Sequence, residues 1–598
     1  MKTMIELNHW RFTIKSLGFA KEITLPHTWN VDDNEAVQLY RGEAGYETEA
    51  EVESLSGKRA ILYFGCAYHT ARVYVNGQLA GTHTGSGYTP FAFDVTGCLV
   101  PGKNQIQVLI DNSPKEEMLP HQLDYDWADD GGLTRNVVLS IMDEADIAHL
   151  AVTYTIDGMD SGSCSGVLHV SAETAGEWEG AGTPGAPEGT KTAEKWEGIE
   201  MAGEREEAET ARVLEGAEPR KLRRERTLEG TGRQNPQEII VEILDGKTRE
   251  LISSTKAAGC LKEGIAIPFA HLRLWSPESP NLYVIQVRTE TGMAEKRIGL
   301  RTIAVEGGKV LLNGKALQMK GCEWMPGSHP DYGMAEPLSH SIFRLSQLKA
   351  AGCNFTRFHW QQDTTLFDWC DENGLLVQEE IPFWGYPKKA GPMQLALAKK
   401  QADAMVRDHA HHPSIICWGV GNELGGEFPE TIEYVKEMHR YFYSIDGARL
   451  VNYVSNSVSR DENVELDDAT MYGDIAMWNE YLGLWQPCDD VEAVIKRTYA
   501  KFGHMPSMVT EFGLCEPAFS GGDERRIQIL KERIPIYKSL PNMCGYVWFS
   551  LNDYRTHCGE YGEGKWKQRI HGSTDLYGKE KPSYGVFAGI GFHELNLI

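Results

Sequence analysis

Ile415-Ile-Cys-Trp-Gly-Val-Gly-Asn-Glu423 and Met508-Val-Thr-Glu511 are two short apolar runs that each end on a glutamate. Both read as strands, and around them the same unit recurs. Ala316-Leu-Gln-Met-Lys-Gly321 precedes a helix with Ile342, Leu345 and Leu348 on one face. Asn354-Phe-Thr-Arg-Phe-His359 precedes a helix through Leu366 and Trp369. Leu375–Glu380, Arg449–Tyr453 and Met543–Phe549 continue the series, with helical periodicities between most of them. Repeated strand–helix units over residues 306–598 predict a C-terminal (β/α)8 TIM barrel.

The chain before the barrel reads differently. In Ala71-Arg-Val-Tyr-Val-Asn-Gly77 the valines alternate with other residues and then meet Asn-Gly. That pair is a strong hairpin signal, because a type I′ turn needs positive φ at both centres. Phe91, Phe93 and Val95 repeat the two-residue period, so residues 1–146 are expected to form a sandwich or jelly roll. A second, smaller β-sandwich is expected over 147–305, with strands at Ala151–Ile156, Gln237–Leu244 and Asn281–Val287. Between about 173 and 237 the sequence is rich in Glu, Gly, Ala and Arg and poor in branched apolar residues. Such a stretch buries too little surface to offset ordering, so it reads as a disordered insertion.

In a (β/α)8 barrel the reactive groups stand at the C-terminal ends of the strands. Those ends carry Arg357 and His359, Glu379 and Glu380, Asn422 and Glu423, Tyr472, Glu511 and Trp548. A carboxylate that closes an apolar strand is costly unless hydrogen bonded or functional. Two of them at one barrel mouth suit retaining glycoside hydrolysis. One carboxyl attacks the anomeric carbon, while the other protonates the leaving oxygen and later deprotonates water. The competing reading is a pair of salt-bridge partners inside the barrel.

Bulk composition narrows the partners. The 598 residues exceed one hydrophobic core, and the formal net charge is -26. That charge argues against nucleic acid or an anionic membrane as partner. No stretch approaches the ~20 apolar residues of a spanning helix. Glu6, Asn8 and His9 stand where a signal peptide needs its apolar core, and the 12 cysteines form no C-x-x-C pair. A cytoplasmic protein is expected.

Trp418-Gly-Val-Gly-Asn-Glu423 and Val509-Thr-Glu-Phe-Gly513 resemble the acid/base and nucleophile segments of glycoside hydrolase family 2, the β-galactosidase and β-glucuronidase family. Val73-Tyr-Val-Asn-Gly77 and Gly87–Thr96 resemble its jelly-roll sugar-binding domain. Asp126-Trp-Ala-Asp-Asp-Gly-Gly-Leu-Thr-Arg135 resembles the loop that reaches over to the barrel. Leu274-Trp-Ser-Pro277 and Asn281-Leu-Tyr283 resemble the end of its immunoglobulin-like domain. The resemblance covers nearly the whole chain apart from the insertion.

Carried over residue by residue, the resemblance implies that Glu511 is the nucleophile and Glu423 the acid/base. It places Asp126 on a sugar hydroxyl and Asn422 on the 2-hydroxyl, and makes Tyr481 the residue that orients the nucleophile. Trp548 becomes a wall of the sugar pocket, with barrel packing as its alternative. Arg357 pairs with the nucleophile and holds its pKa down, leaving the raised one to Glu423. Glu380 supports the nucleophile site, although Glu379 is the alternative inward-facing residue. His359 is a substrate-binding candidate in Arg357-Phe-His-Trp360, one residue shorter than the family's Arg-x-Ser-His-Tyr-Pro.

His409, His411 and His412 fall just before a strand, away from the mouth, where a helix-end or packing role is expected over metal ligation. No organic cofactor is implied. A divalent ion occurs near the site in some relatives, but no ligands can be placed for one here. Carbohydrate is the expected partner, and homo-oligomers occur in the family.

The sugar is less constrained. Family β-glucuronidases carry an Asn-x-Lys motif late in the barrel, and Arg569-Ile-His-Gly-Ser-Thr-Asp575 lacks it. This favours a β-galactosidase. The cations of Asp553–Arg569 keep a β-glucuronidase or β-galacturonidase as the alternative, because arginine binds carboxylates in a bidentate manner. An inactive carbohydrate-binding protein on the same fold is the alternative of another class.

Overall fold

Alternation builds the N-terminal layers. In Gly102–Asp111 the side chains of Asn104, Ile106, Val108 and Ile110 face inward, and their neighbours face outward. In this computed structural model, which describes residues 2–121, 123, 125–178, 237–385, 390–463, 465–559 and 561–591, that strand sits in a six-stranded antiparallel sheet. The sheet's order is Phe19–Thr24, His9–Ile14, Glu43–Val52, Gly102–Asp111, Thr70–Val75, Gln78–His83. A four-stranded sheet of Thr3–Glu6, Val137–Asp143, Lys58–Phe64 and Phe91–Asp94 lies against it, with Trp10, Phe12, Phe64 and Phe93 in the shared core. The expected hairpin is present: Asn76 and Gly77 have φ of 50° and 78° between Thr70–Val75 and Gln78–His83.

The second unit packs a three-stranded sheet (Ile147–Asp160, Ser163–Thr174, Ile265–Arg273) on a four-stranded one (Leu251–Gly259, Gln237–Asp245, Tyr283–Arg288, Met293–Ile298). The strand ending at Thr174 extends into the start of the expected insertion. Residues 179–236, which hold most of that insertion, lie outside the described residues.

Eight parallel strands close the barrel: β1 Met319–Cys322, β2 Phe355–Phe358, β3 Leu376–Glu380, β4 Ile415–Asn422, β5 Leu450–Ser455, β6 Ala476–Asn479, β7 Ser507–Glu511 and β8 Met543–Trp548. Val310, from the hairpin before β1, clusters with Met319, Leu376 and Leu450, which open β1, β3 and β5. It plugs the N-terminal end and leaves the opposite end for chemistry. One strand end differs from expectation. Tyr472 closes a short 3-10 turn, Ala469–Tyr472, and the strand that follows ends on Asn479. Thr470 makes that turn compact by bonding the Tyr453 and Met477 backbones, so the chain reverses before it pairs.

One loop of the jelly roll makes the buried contacts over the barrel mouth, and residues 30–38 and 84–85 add others. Asp130 holds Arg555 through two oxygens at 2.6 and 3.1 Å, and both side chains are almost fully buried. His557 meets the Trp127 and Leu123 carbonyls at 2.8 and 3.2 Å. Arg135 donates to the Gln361 carbonyl at 2.6 Å. Among the described residues no helix is long and apolar enough to cross a membrane.

Removing one member of a buried ion pair leaves the other uncompensated. Asp130→Ala should therefore lower stability by about 3–5 kcal/mol in equilibrium denaturation. A loss below ~1 kcal/mol would show that the pair behaves like an exposed one.

Candidate active site

A fully buried guanidinium organises the barrel mouth. Arg357, on β2, donates from Nε and Nη2 to both oxygens of Glu380, on β3, at 2.8 and 3.1 Å. Nη1 reaches Glu323, just past β1, at 3.1 Å and Glu511, the last residue of β7, at 2.8 Å. Nη2 also donates to the Asn422 side-chain oxygen, at the end of β4, at 3.1 Å. One side chain thus ties together five strand ends. A charge this deep is tolerated only when paired and hydrogen bonded.

The two candidate glutamates have different surroundings. Glu511 accepts from Arg357 on one oxygen and from the Tyr481 hydroxyl on the other, each at 2.8 Å. Glu423 accepts from the Asn479 amide at 2.8 Å, and the same amide nitrogen reaches the Asn422 oxygen at 3.1 Å. Thr510 fixes Asn479 by donating to its side-chain oxygen at 2.9 Å. The Glu423 backbone lies in the left-handed region, φ 59°, which a non-glycine residue adopts at a cost of about 1–3 kcal/mol. Its N–H is held by the Val454 carbonyl at 2.9 Å. The turn swings the carboxyl out of the strand's alternation.

Electrostatics correct one expectation. Burial pushes the Glu511 carboxyl up to about 8, and Arg357 opposes that shift without reversing it. The cause is visible: Arg357 divides its charge among Glu323, Glu380 and Glu511, and Glu423 and Glu323 add repulsion. Glu423 is raised as well, by burial first, with the Asn479 hydrogen bond opposing and the Asp126 charge adding to it. Burial and mutual repulsion thus favour a proton on the pair. With two donors aimed at Glu511 and one at Glu423, the ionised form is better satisfied at Glu511. Glu380 shows the opposite balance. Burial raises it, but Arg357 and His359 bring it down to about 2. Burial and the Arg357 charge lower His359, but Glu323 and Glu380 together outweigh them and push it up to about 10.

The other expected residues separate into those at the mouth and those behind it. His359 pairs with Glu323 at 2.9 Å and stacks on Trp127, ring centroids 5.6 Å apart. Asp126 crosses from the jelly roll to accept from Tyr554 at 2.7 Å and Arg569 at 2.6 Å. Trp548 is not a pocket wall. It has no exposed surface, donates to Ser573 at 2.9 Å and packs edge-on against Phe512. Glu379 faces the other way from Glu380 and bonds His409 at 2.9 Å, as strand alternation dictates. His412 bonds Asp371 at 2.7 Å.

Glu323, Asn479, Trp127 and Tyr554 were not singled out by the sequence as site residues, and Arg569 only as one cation of the Asp553–Arg569 stretch. The strand-end rule reaches Glu323 and Asn479 once β1 and β6 are bounded correctly. Trp127 sits on a loop, and Tyr554 and Arg569 face each other on two paired strands of two residues each, too short for periodicity to carry a signal.

Among the described residues two groups of three side chains bring candidate metal ligands together: Glu323, His359 and Glu511, and Asp368, Asp371 and His412. In the first, Arg357 already holds both carboxylates, and the His359 Nε2 is taken up by Glu323 at 2.9 Å. In the second, Arg297 takes Asp368 and His412 takes Asp371. Neither donor set fits a cation as it stands.

Residues 9–142 match the family model described as Glycosyl hydrolases family 2, sugar binding domain, and residues 303–548 match Glycosyl hydrolases family 2, TIM barrel domain. The chain belongs to glycosyl hydrolase family 2. This family 2 chain is 26% identical over 533 residues to a β-glucuronidase of Bacteroides fragilis, covering 85% of this chain and 67% of that protein. It is 25% identical over 596 residues to a β-galactosidase of Thermoanaerobacter pseudethanolicus, covering 95% and 66%. It spans only 47% of a putative β-glucuronidase of Formosa agariphila. Among solved structures, a family 2 β-galacturonidase from Eisenbergiella tayi bound to glycerol matches with a TM-score of 0.76 and 25% identity, covering 98% of this chain and 96% of that one. The β-glucuronidase of Ruminococcus gnavus shares the fold, with a TM-score of 0.78 at 21% identity, covering 98% and 97%.

Because Glu423 raises the pKa of Glu511, Glu423→Gln should lower it. Infrared difference spectra of glutamate-labelled protein should show the buried carboxyl titrating at lower pH in that variant. An unchanged midpoint would mean that the two groups do not share a proton.

Proposed function

We propose that the chain is a retaining exo-β-glycosidase of terminal neutral hexosides, with β-galactosides as the leading substrates. The observation that carries this reading is the unequal donor set of Glu511 and Glu423 at one mouth. A nucleophile must be ionised and a general acid protonated, and unequal environments assign the two roles.

In the first step a Glu511 oxygen attacks the anomeric carbon as the bond to the leaving oxygen breaks, and Glu423 transfers its proton to that oxygen. In the second, Glu423 takes a proton from water, the resulting hydroxide displaces Glu511, and the carboxylate is restored. Retention requires carboxyls about 5–5.5 Å apart. Asn422 supports this chemistry through a side-chain nitrogen that is buried without a partner, while its oxygen is occupied by Arg357 and Asn479. That nitrogen is a donor left over for the sugar 2-hydroxyl. Tyr481 fixes the attacking carboxylate. Asp126 and Trp127 reach the mouth from the jelly roll, on Tyr554, Arg569 and His359, and a wall there fits exo action.

Charge favours a neutral sugar. The two arginines at the pocket are already paired, Arg357 with three carboxylates and Arg569 with Asp126. A second reading, a β-glucuronidase or β-galacturonidase, is favoured by the buried Arg569 Nε, which has no partner, and by the names of several relatives.

A panel of nitrophenyl β-galactoside, β-glucuronide, β-galacturonide, β-glucoside and β-mannoside decides between them. Turnover of a neutral glycoside, cut by roughly 10⁴-fold or more in Glu511→Gln, is the expected result. Turnover of a uronide alone, lost in Arg569→Met, would replace the neutral reading by the second. Sugar binding with no turnover of any glycoside would point to a binding protein.

A further inference from the structure

The four residues of β6 end on an amide, Asn479, whose polar atoms bond within the barrel mouth. Its nitrogen donates to Glu423 Oε1 at 2.8 Å and to the Asn422 side-chain oxygen at 3.1 Å, and its oxygen accepts from the Thr510 hydroxyl at 2.9 Å. Asn479 and Thr510 are both buried.

Local geometry delivers the amide to this place. Between β6 and β7 the register shifts, with Trp478 opposite Val509 and Asn479 opposite Glu511, so Thr510 is the extra residue on β7. An extra residue of this kind re-aims the side chains around it. Past the shift, Asn479 and Tyr481 stand two residues apart and reach the two candidate catalytic carboxyls, Glu423 and Glu511. Glu480 between them accepts from Trp478 Nε1 at 2.8 Å and from the Tyr537 hydroxyl at 2.5 Å, and its N–H donates to the Glu511 carbonyl at 2.8 Å. The end of β6 is thus fixed on both sides.

Three neighbours decide which way round the amide sits. Arg357 and Asn479 both donate to the Asn422 oxygen, and Glu423 Oε1 is a second acceptor. A reversed amide would face both acceptors with its own oxygen and would give up the Thr510 donor.

In a neutral carboxyl the carbonyl oxygen is the better acceptor, and the hydroxyl oxygen is the donor. An N–H fixed on Oε1 therefore places the acid proton of Glu423 on Oε2. Among the described residues none bonds Oε2, and that oxygen is not sealed from solvent. We propose that Asn479, set by Thr510, is the positioning residue that keeps the Glu423 proton on Oε2, aimed at the leaving oxygen. This rests on the reading of Glu423 as the acid/base. In the first step the Oε2–H bond breaks as the leaving oxygen gains the proton, and the electron pair stays on a carboxylate still held at Oε1. In the second step Oε2 takes a proton from water.

The test compares kcat/KM, which reports formation of the glycosyl-enzyme, for phenyl and 2,4-dinitrophenyl glycosides of the sugar the protein turns over. Phenoxide needs the proton to leave, and dinitrophenoxide does not. Asn479→Ala should cut kcat/KM for the phenyl glycoside by about tenfold or more, the worth of a hydrogen bond to a charged group. The dinitrophenyl glycoside should lose less than about threefold, because its departure draws little on acid catalysis. Thr510→Val should show the same selectivity with a loss of about threefold, and Thr510→Ser, which keeps the hydroxyl, should regain most of it. The alkaline limb of the phenyl-glycoside profile should move to higher pH in Asn479→Ala, since this amide favours the ionised carboxyl. Asp126, His359, Arg357 and Glu511 also act on that carboxyl, and they are the same in every variant. If Asn479→Ala fails to fold, the two Thr510 variants decide. Equal losses for both leaving groups, or no loss, beside a Glu423→Gln protein selectively impaired on the phenyl glycoside, would overturn the proposal alone. Full turnover of the phenyl glycoside by Glu423→Gln, or no turnover of any glycoside, would overturn the acid/base reading and the proposal with it.

Discussion

A guanidinium with no exposed surface is the constraint from which the rest of the site follows. Arg357 can be buried only because Glu323, Glu380 and Glu511 converge on it. Those carboxylates converge only because β1, β3 and β7 deliver them to one end of a closed barrel. The energetics run both ways. Without the arginine, several carboxylates would repel one another in a poorly solvated space. Without the carboxylates, a buried cation would be stranded at a cost of several kcal/mol. The same sharing explains why Glu511 is not simply pinned in its ionised form. An arginine that serves three carboxylates has little left for any one of them, and burial with the nearby Glu423 pushes Glu511 upward.

The jelly roll contributes to the site by geometry more than by bulk. Its long loop carries Asp126 onto Tyr554 and Arg569 and lays Trp127 on His359, while Asp130 and Arg555 fix that loop below the surface. A pocket made by a barrel alone is open above. Here an aromatic and acidic wall from another sheet system stands across it. Trp127 also packs on Trp360 of the barrel, so the domain interface is both a structural seam and a lining.

The large elements and the two glutamates were legible in the sequence because their signals are local. Alternation marked the jelly-roll strands, Asn76-Gly77 marked a hairpin, and Glu423 and Glu511 closed clean apolar runs. What was not legible depends on distance in the chain. The choice between Glu379 and Glu380 needed the barrel register, and the sixth strand was missed because it has only four residues after a compact turn. Trp548 was expected at a surface it does not reach, since the Ser573 and Phe512 contacts that bury it are remote in sequence or set by the fold. The pKa of Glu511 was misread for the same reason: pairing with Arg357 was expected, but the competing Glu323 and Glu380 were not weighed with it.

Glu511, held between Arg357 and Tyr481, is the residue proposed to form the covalent bond to the sugar. The direct measurement uses the 2-deoxy-2-fluoro derivative of whichever activated glycoside the protein turns over. That reagent lets the glycosyl-enzyme form and slows its breakdown, so the adduct can be located by mass spectrometry of the digested protein. One fluorosugar per chain is expected on the peptide containing Glu511, with retained anomeric configuration in the product of the normal reaction. A label on Glu423 or another residue, or inverted product with no adduct, would contradict it.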